Sequence, residues 1–240
     1  SNMNNPTTVT ISVGTIQKAQ GGQGHGSYYG GSGIHSDGDL TISGNAHIVS
    51  ATGGDGDSSN SRSDAGDGIR AGTLTISGEA RIDNATGGTT DSGSAGDGIY
   101  NYGKLTIKDN AKIGTVKGGD ATASGKDGGY GIRNHGQFTM SGGTITNAVG
   151  GMATGRTGDG IYCGDTLTIA GGEIQQTTGG TATGHTGDGG YGIRSNVALT
   201  IKGGKIEQTT GGDATGKSGT GGSGIRCLRA LRSARSNKNQ

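Results

Sequence analysis

The chain has no tryptophan, one phenylalanine, one proline and two cysteines in 240 residues. Apolar residues make up 27% and aromatics 3%, too few to fill a broad globular core. Two cysteines exclude a disulfide-stapled scaffold. No apolar run approaches the roughly 20 residues of a membrane helix, so membrane insertion is not expected. Charge is nearly balanced, 20 positive against 19 negative. The imbalance is local. Residues 226–240 carry Arg226, Arg229, Arg232, Arg235 and Lys238 and no acid, leaving the rest at 15 against 19, or −4. A basic body suited to nucleic acid is missing, and nucleic acid is not an expected partner. Helical spacing of apolar residues is also absent until the tail.

What is abundant is glycine, 57 residues, and it is arranged in phrases. Gly-Ile pairs end at Ile34, Ile69, Ile99, Ile132, Ile161, Ile193 and Ile225. Leu-Thr-Ile-like triplets begin at Val9, Leu40, Leu74, Leu105, Phe138, Leu167 and Leu199, spaced 31, 34, 31, 33, 29 and 32 residues apart. After each triplet comes a turn, then a central Ile, then a Gly-Gly pair. The first of those glycines always follows the central Ile by five residues, as in Ile113 to Gly118 and Ile145 to Gly150. Glycine-rich, weakly apolar chains are often disordered, but disorder gives no reason for a fixed offset.

A repeat of this length means stacked units. The triplets alternate apolar and polar with period 2, which is a strand pattern. One repeat offers only Ile132, Phe138, Met140, Ile145 and one of Ala148 or Val149 as inward residues, so coils must stack to make a core. The expected fold is all-β: a parallel β-helix (solenoid) of about seven coils with three short strands each, right-handed as crossovers of this kind almost always are. Residues 1–8 read as a tag remnant and lead-in, residues 9–225 as one repeat domain, and residues 226–240 as a basic tail. On a helix, Cys227, Leu228, Ala230, Leu231 and Ala234 share one face, so the tail reads either as a short helix capping the last coil or as a solvated extension. Length variation is confined to the segment between Gly-Gly and the next Gly-Ile, one corner of the coil. In solenoids such a corner is often the binding face.

The residue after each Gly-Ile points outward. Up the stack it is His35, Arg70, Tyr100, Arg133, Tyr162, Arg194 and Arg226, with Tyr130 and Tyr191 beside the same strand. An Arg/Tyr column about 4.8 Å apart allows cation–π stacking. It reads either as stabilisation of the stack or as a carbohydrate-binding strip of Arg70, Tyr100, Tyr130, Arg133, Tyr162, Tyr191 and Arg194, with Asn101 and Asn134 as further donors. A second column is acidic: Asp67, Asp97 and Asp159 in Gly-Asp-Gly-Ile phrases. These read as turn formers bonding their own backbone or as calcium ligands, since stacked carboxylates need a cation between them. The five histidines, at 25, 35, 47, 135 and 185, lack metal-ligand spacing. Cys163 and Cys227 fall two coils apart, roughly 10 Å by strand spacing and beyond disulfide reach.

The phrases Gly-Asp-Gly-Ile, Leu-Thr-Ile-Ser-Gly and Gly-Gly-x-Ile resemble glycine-rich β-helix repeats of surface proteins from clostridia and other gut bacteria. They are similar to the clostridial carbohydrate-binding β-helix family, of pectate-lyase-like fold, over residues 9–225. That resemblance implies extracellular or cell-surface polysaccharide binding with calcium and without lyase activity. Asp67, Asp97 and Asp159 match its Gly-Asp-Gly-Ile phrase, whereas the long Thr/Gly loops and the Arg/Tyr column are not part of it. The expected function is therefore non-catalytic binding of a polysaccharide or host-surface glycan, or adhesion. The alternatives are a polysaccharide lyase or hydrolase on the same scaffold and a structural adhesin spacer.

Overall fold

The structure is a computed structural model that describes residues 7–57 and 63–233. It is an all-β parallel solenoid of about seven coils. The Gly-Ile residues form one ladder: Ile34, Ile69, Ile99, Ile132, Ile161, Ile193 and Ile225 pair in register from coil to coil, buried from Ile69 to Ile193 and opening to solvent at Ile225 in the last coil. The triplets form a second, with Leu40, Leu74, Leu105, Phe138, Leu167 and Leu199 stacked. The central isoleucines form a third, from Ile16 through Ile206. Between them run buried Ala51, Ala85, Val116 and Ala148. Burial alternates along the Gly-Ile and triplet strands, as in Leu105–Ile107, because successive side chains leave a strand on opposite faces.

Three separate strands are seen in Ile99–Asn101, Leu105–Ile107 and Lys112–Lys117 and again in Ile193–Ser195, Ala198–Ile201 and Lys205–Thr210. In Ile34–Ile42 and Ile69–Ile76 the Gly-Ile and triplet strands run together, and in Phe138–Val149 and Thr166–Thr178 the triplet and central strands do. The turns before the central strand differ by one residue. The longer turns, Gly44-Asn45-Ala46, Gly78-Glu79-Ala80 and Asp109-Asn110-Ala111, tuck a buried alanine inward. The later Gly-Gly turns omit it. Asp109 is the one non-glycine with positive φ among the described residues, at 61°, where the other turns use glycine.

The tail differs from the helical expectation. Ile225–Cys227 pairs with Ile193–Ser195, and Ala230–Ser233 pairs with Ala198–Ile201. No helix occurs among the described residues, so none is long and apolar enough to cross a membrane. The physical reason was visible: Leu231 follows Ile225 by six residues, as Leu199 follows Ile193 and Leu105 follows Ile99. The repeat phrase thus continues into the tail, and ladder pairing supplies hydrogen bonds to strand edges that a covering helix would leave open. Residues 234–240, with Ala234, Arg235 and Lys238 of the expected tail, lie outside the described residues.

The variable corner is a second lobe. Two glycine columns face each other across a waist and exchange main-chain hydrogen bonds: Gly54 N donates to Gly31 O, Gly66 N to Gly54 O, Gly88 N to Gly66 O and Gly96 N to Gly88 O, at 2.8–3.0 Å. The zigzag continues to Gly222 and Gly212. A Cβ built on Gly118 would lie 1.9 Å from Gly129 O, so no side chain fits there. Beyond the waist the loops pair through single parallel bridges, Thr90 to Ala121, Ala153, Ala182 and Ala214. Ala121, Ala153 and Ala182 are buried there. Each coil is therefore two compartments pinched at glycine, one apolar and one of small residues, where Ser63, Thr90, Ser92 and Thr157 are also buried.

Candidate functional site: the strip at the waist

The outward column lies where the Gly-Ile strand leaves the waist. Arg70, Tyr100, Arg133, Tyr162, Arg194 and Arg226 are in ladder register. Tyr130 and Tyr191 leave the waist two residues before the strand and fold onto the same strip. Guanidinium and ring then alternate. Arg70 lies 4.8 Å from the Tyr100 centroid and Arg133 lies 5.3 Å from it. Arg133 is also 5.0 Å from Tyr130. Arg194 contacts Tyr162 at 4.6 Å, Tyr191 at 5.6 Å and Tyr130 at 6.0 Å. Arg226 closes the series 4.9 Å from Tyr191. All seven expected strip residues are thus brought together. Tyr102 also belongs to it, 4.6 Å from Tyr100 edge-on and hydrogen-bonded through its hydroxyl to Arg70. Period 2 from Tyr100 would have found it. His135 stacks 6.2 Å from Tyr102, and burial and Arg133 push its pKa down.

Asn101 and Asn134 do not belong to the strip. They are fully buried, one residue past the outward position and therefore facing in. Asn101 Nδ2 donates to Asn134 Oδ1 at 2.6 Å, and each donates to a turn carbonyl two residues on. They tie the coils together and are out of reach of a ligand. Cys163 is buried in that same inward column, with Ser195 between it and Cys227.

The acidic column backs the strip. Asp67, Asp97 and Asp159 are buried. Each accepts a backbone N–H from the coil above rather than from its own turn: Asp97 N to Asp67, Tyr130 N to Asp97 and Tyr191 N to Asp159, at 2.7–2.8 Å. The cation beside each is an arginine. Arg70 donates to Asp67 at 3.1 Å. Arg194 Nε lies 2.8 Å from Asp159 Oδ2, but neither atom makes an aligned hydrogen bond. Arg133 reaches Asp97 only at 3.7 Å, too far for a hydrogen bond. Burial raises all three carboxyl pKa values. Asp97 is pushed to about 8, first by desolvation and then by the charge of Asp67, against the pull of Arg133. Desolvation lifts Asp159 to about 6 despite Arg194, and lifts Asp67 despite Arg70. Among the described residues no three histidine, cysteine or acidic side chains converge as a metal centre. Calcium at the acidic column would have to compete with these guanidinium groups.

Beside the N-terminal end of the strip is a groove of about 480 Å³, lined by Tyr29, His35, Asp64, Arg70, Tyr100 and Arg133 among others. It runs between the strip and the edge of the glycine lobe. Other hollows lie elsewhere. One of about 520 Å³ on the loop tips is lined by Arg156, His185 and Asp188, and one of about 430 Å³ on the turn edge is lined by Glu79, Asp109 and Glu173.

No family model, no curated protein and no solved structure matches this chain.

Proposed function

We propose that this solenoid is a non-catalytic polysaccharide-binding module that works outside the cell, on a polymeric or cell-surface glycan. The observation that carries the reading is the continuous, half-exposed cation–π stack from Arg70 to Arg226. It concentrates most of the chain's few aromatics on one regularly spaced face. Its geometry changes the division of labour within the strip. Tyr100, Tyr130, Tyr162 and Tyr191 have guanidinium groups against them, so they hold Arg70, Arg133 and Arg194 in place rather than offering bare faces to sugar. The arginines supply the donors, and a planar guanidinium favours paired oxygens such as a carboxylate. Calcium at Asp67, Asp97 and Asp159 is not needed in this reading, because arginine already supplies the counter-charge.

A structural spacer is the second reading. It is favoured by the internal pairing of Asp67 with Arg70 and Asp159 with Arg194. A glycan array separates the two, probed with the parent chain and with Tyr100→Ala/Tyr162→Ala, in calcium and in chelator. The binding reading expects retention of one glycan class by the parent, weakened about tenfold or more in the double variant, and insensitive to chelation. A loss of one cation–π contact worth roughly 1–2 kcal/mol sets that scale. A parent chain that binds no glycan in either buffer leaves the spacer.

A further inference from the structure

The groove contains two groups with stacking or hydrogen-bonding capacity to spare. Tyr29 is 68% exposed and makes no ring contact or hydrogen bond through its side chain among the described residues. Arg133 packs on Tyr100 and Tyr130, but among the described residues its guanidinium spends no donor in an aligned hydrogen bond: the nearest carboxylate is 3.7 Å away, and the side chain is 37% exposed. The other charged groups of the groove are engaged. His35 pairs with Asp37 at 3.0 Å, Arg70 with Asp67, Ser94 N donates to Asp64 at 2.8 Å, and Tyr130 N donates to Asp97 at 2.7 Å. A bare ring and a guanidinium with open donors thus mark one channel whose volume falls within the range of small-ligand sites.

Their separation follows from the ladder. Tyr29 precedes Ile34, and Arg133 follows Ile132, three coil steps further on. At about 4.8 Å per step the two are some 14 Å apart along the axis. A single sugar ring cannot reach both, and a chain along the groove can. The apolar face of a pyranose packs on a phenol ring, as amphipathic aromatics do elsewhere. The guanidinium fork takes a pair of oxygens, from a carboxylate, a sulfate ester or neighbouring hydroxyls.

We infer that this groove is the docking site of the proposed module, that it takes a linear oligosaccharide lying along the solenoid axis, and that Tyr29 and Arg133 hold its two ends. The inference rests on the glycan-binding reading above and adds the place, the orientation and the minimum length of the ligand. It also moves the stacking role from the column rings to Tyr29, which lies outside the Arg/Tyr ladder.

Calorimetric titration of the full chain with size-defined oligomers tests it, using uronate, sulfated and neutral series to tell the three oxygen sources apart. Affinity should be undetectable for monosaccharides, climb with length, and level off once the oligomer spans about 14 Å. Tyr29→Ala should lower affinity about tenfold. Arg133→Lys, which keeps the charge but removes the fork, should lower it similarly. Tyr28→Ala, at a still more exposed neighbour that does not line the groove, should match the parent. Melting curves check that the variants stay folded, and Tyr29→Ala, on an exposed loop, keeps the test open if Arg133→Lys does not. If oligomers bind but their affinity is independent of length, or Tyr29→Ala and a folded Arg133→Lys both bind like the parent, the groove assignment is overturned and the general reading survives. Equal losses in Tyr28→Ala and Tyr29→Ala also overturn it. A parent chain that binds no oligomer of any series removes both.

Discussion

The two lobes of each coil hold together by opposite means. The first is filled by apolar ladders, chiefly isoleucine and leucine, that are buried in all but the end coils. Its cohesion is the removal of apolar surface from water. The second buries small side chains, Ala121, Ala153 and Ala182 with Ser63, Thr90, Ser92 and Thr157. Its cohesion is polar: main-chain hydrogen bonds across the glycine waist, single bridges between loops, and Ser, Thr and Asp side chains bonded to the main chain of neighbouring coils. Large apolar side chains create the first lobe and have no room at the waist of the second. The difference explains how so weakly apolar a chain can be ordered: backbone groups that glycine brings into direct contact replace the missing core. It also explains the fixed Ile-to-Gly offset, because the same coil must present an inward isoleucine to one lobe and a bare Cα to the waist.

The comparison can be broken from either side. The largest effect is expected at the waist. Gly118→Ala adds one methyl group 1.9 Å from Gly129 O, against backbone that has nowhere to move. It should cost more than about 4 kcal/mol, at the exceptional end for single substitutions, and show as loss of the cooperative urea transition. Ile132→Ala empties a site in the apolar ladder and should cost about 2–5 kcal/mol by cavity formation, with the transition shifted but intact. An alanine harmless at Gly118 and ruinous at Ile132 would reverse the account.

A smaller effect sharpens the seam between the lobes. Asp97 is held at about 8 in the folded chain against an ordinary 3.8. The folded state therefore binds this proton more tightly than the unfolded state. Its contribution is fully present below pH 4 and is lost as pH rises toward 8. Asp97→Asn keeps an acceptor for Tyr130 N and removes the titration. The variant should match the parent near pH 4 and be the more stable of the two at pH 9, read from urea midpoints at both values. A parent chain that gains stability across that interval relative to Asp97→Asn would place an ionised carboxylate there instead.

Most of the first lobe was legible because its information lies in side chains. Period 2 and the repeat offsets placed Ile132, Phe138, Met140 and Ile145 inward, and all four are buried. The Arg/Tyr column followed from the same parity. The second lobe was not legible as a compartment, because its waist contacts are between main-chain atoms that every glycine shares. Only Gly-Gly-x-Ala, repeated at residues 118–121, 150–153, 179–182 and 211–214, hinted at a ladder beyond the waist. The tail was misread because Cys227, Leu228 and Leu231 satisfy helical spacing as well as the continued repeat phrase. Parity also limits the ligand face: counting one residue past Tyr100 puts Asn101 inside. Tyr29 carries no repeat signature, and only its exposure beside a groove singles it out.

The groove can select a ligand only if its glycine wall is as fixed as the apolar core. Amide hydrogen exchange, resolved to single residues, tests this directly. The N–H groups of Gly54, Gly88 and Gly119, each bonded across the waist to the preceding coil, should exchange as slowly as those of Ile69, Ile99 and Ile132, because both sets open only when coils separate. Glycine amides that exchange on the timescale of open loops, while the isoleucine amides stay protected, would contradict the two-lobed account and remove the wall on which the site depends.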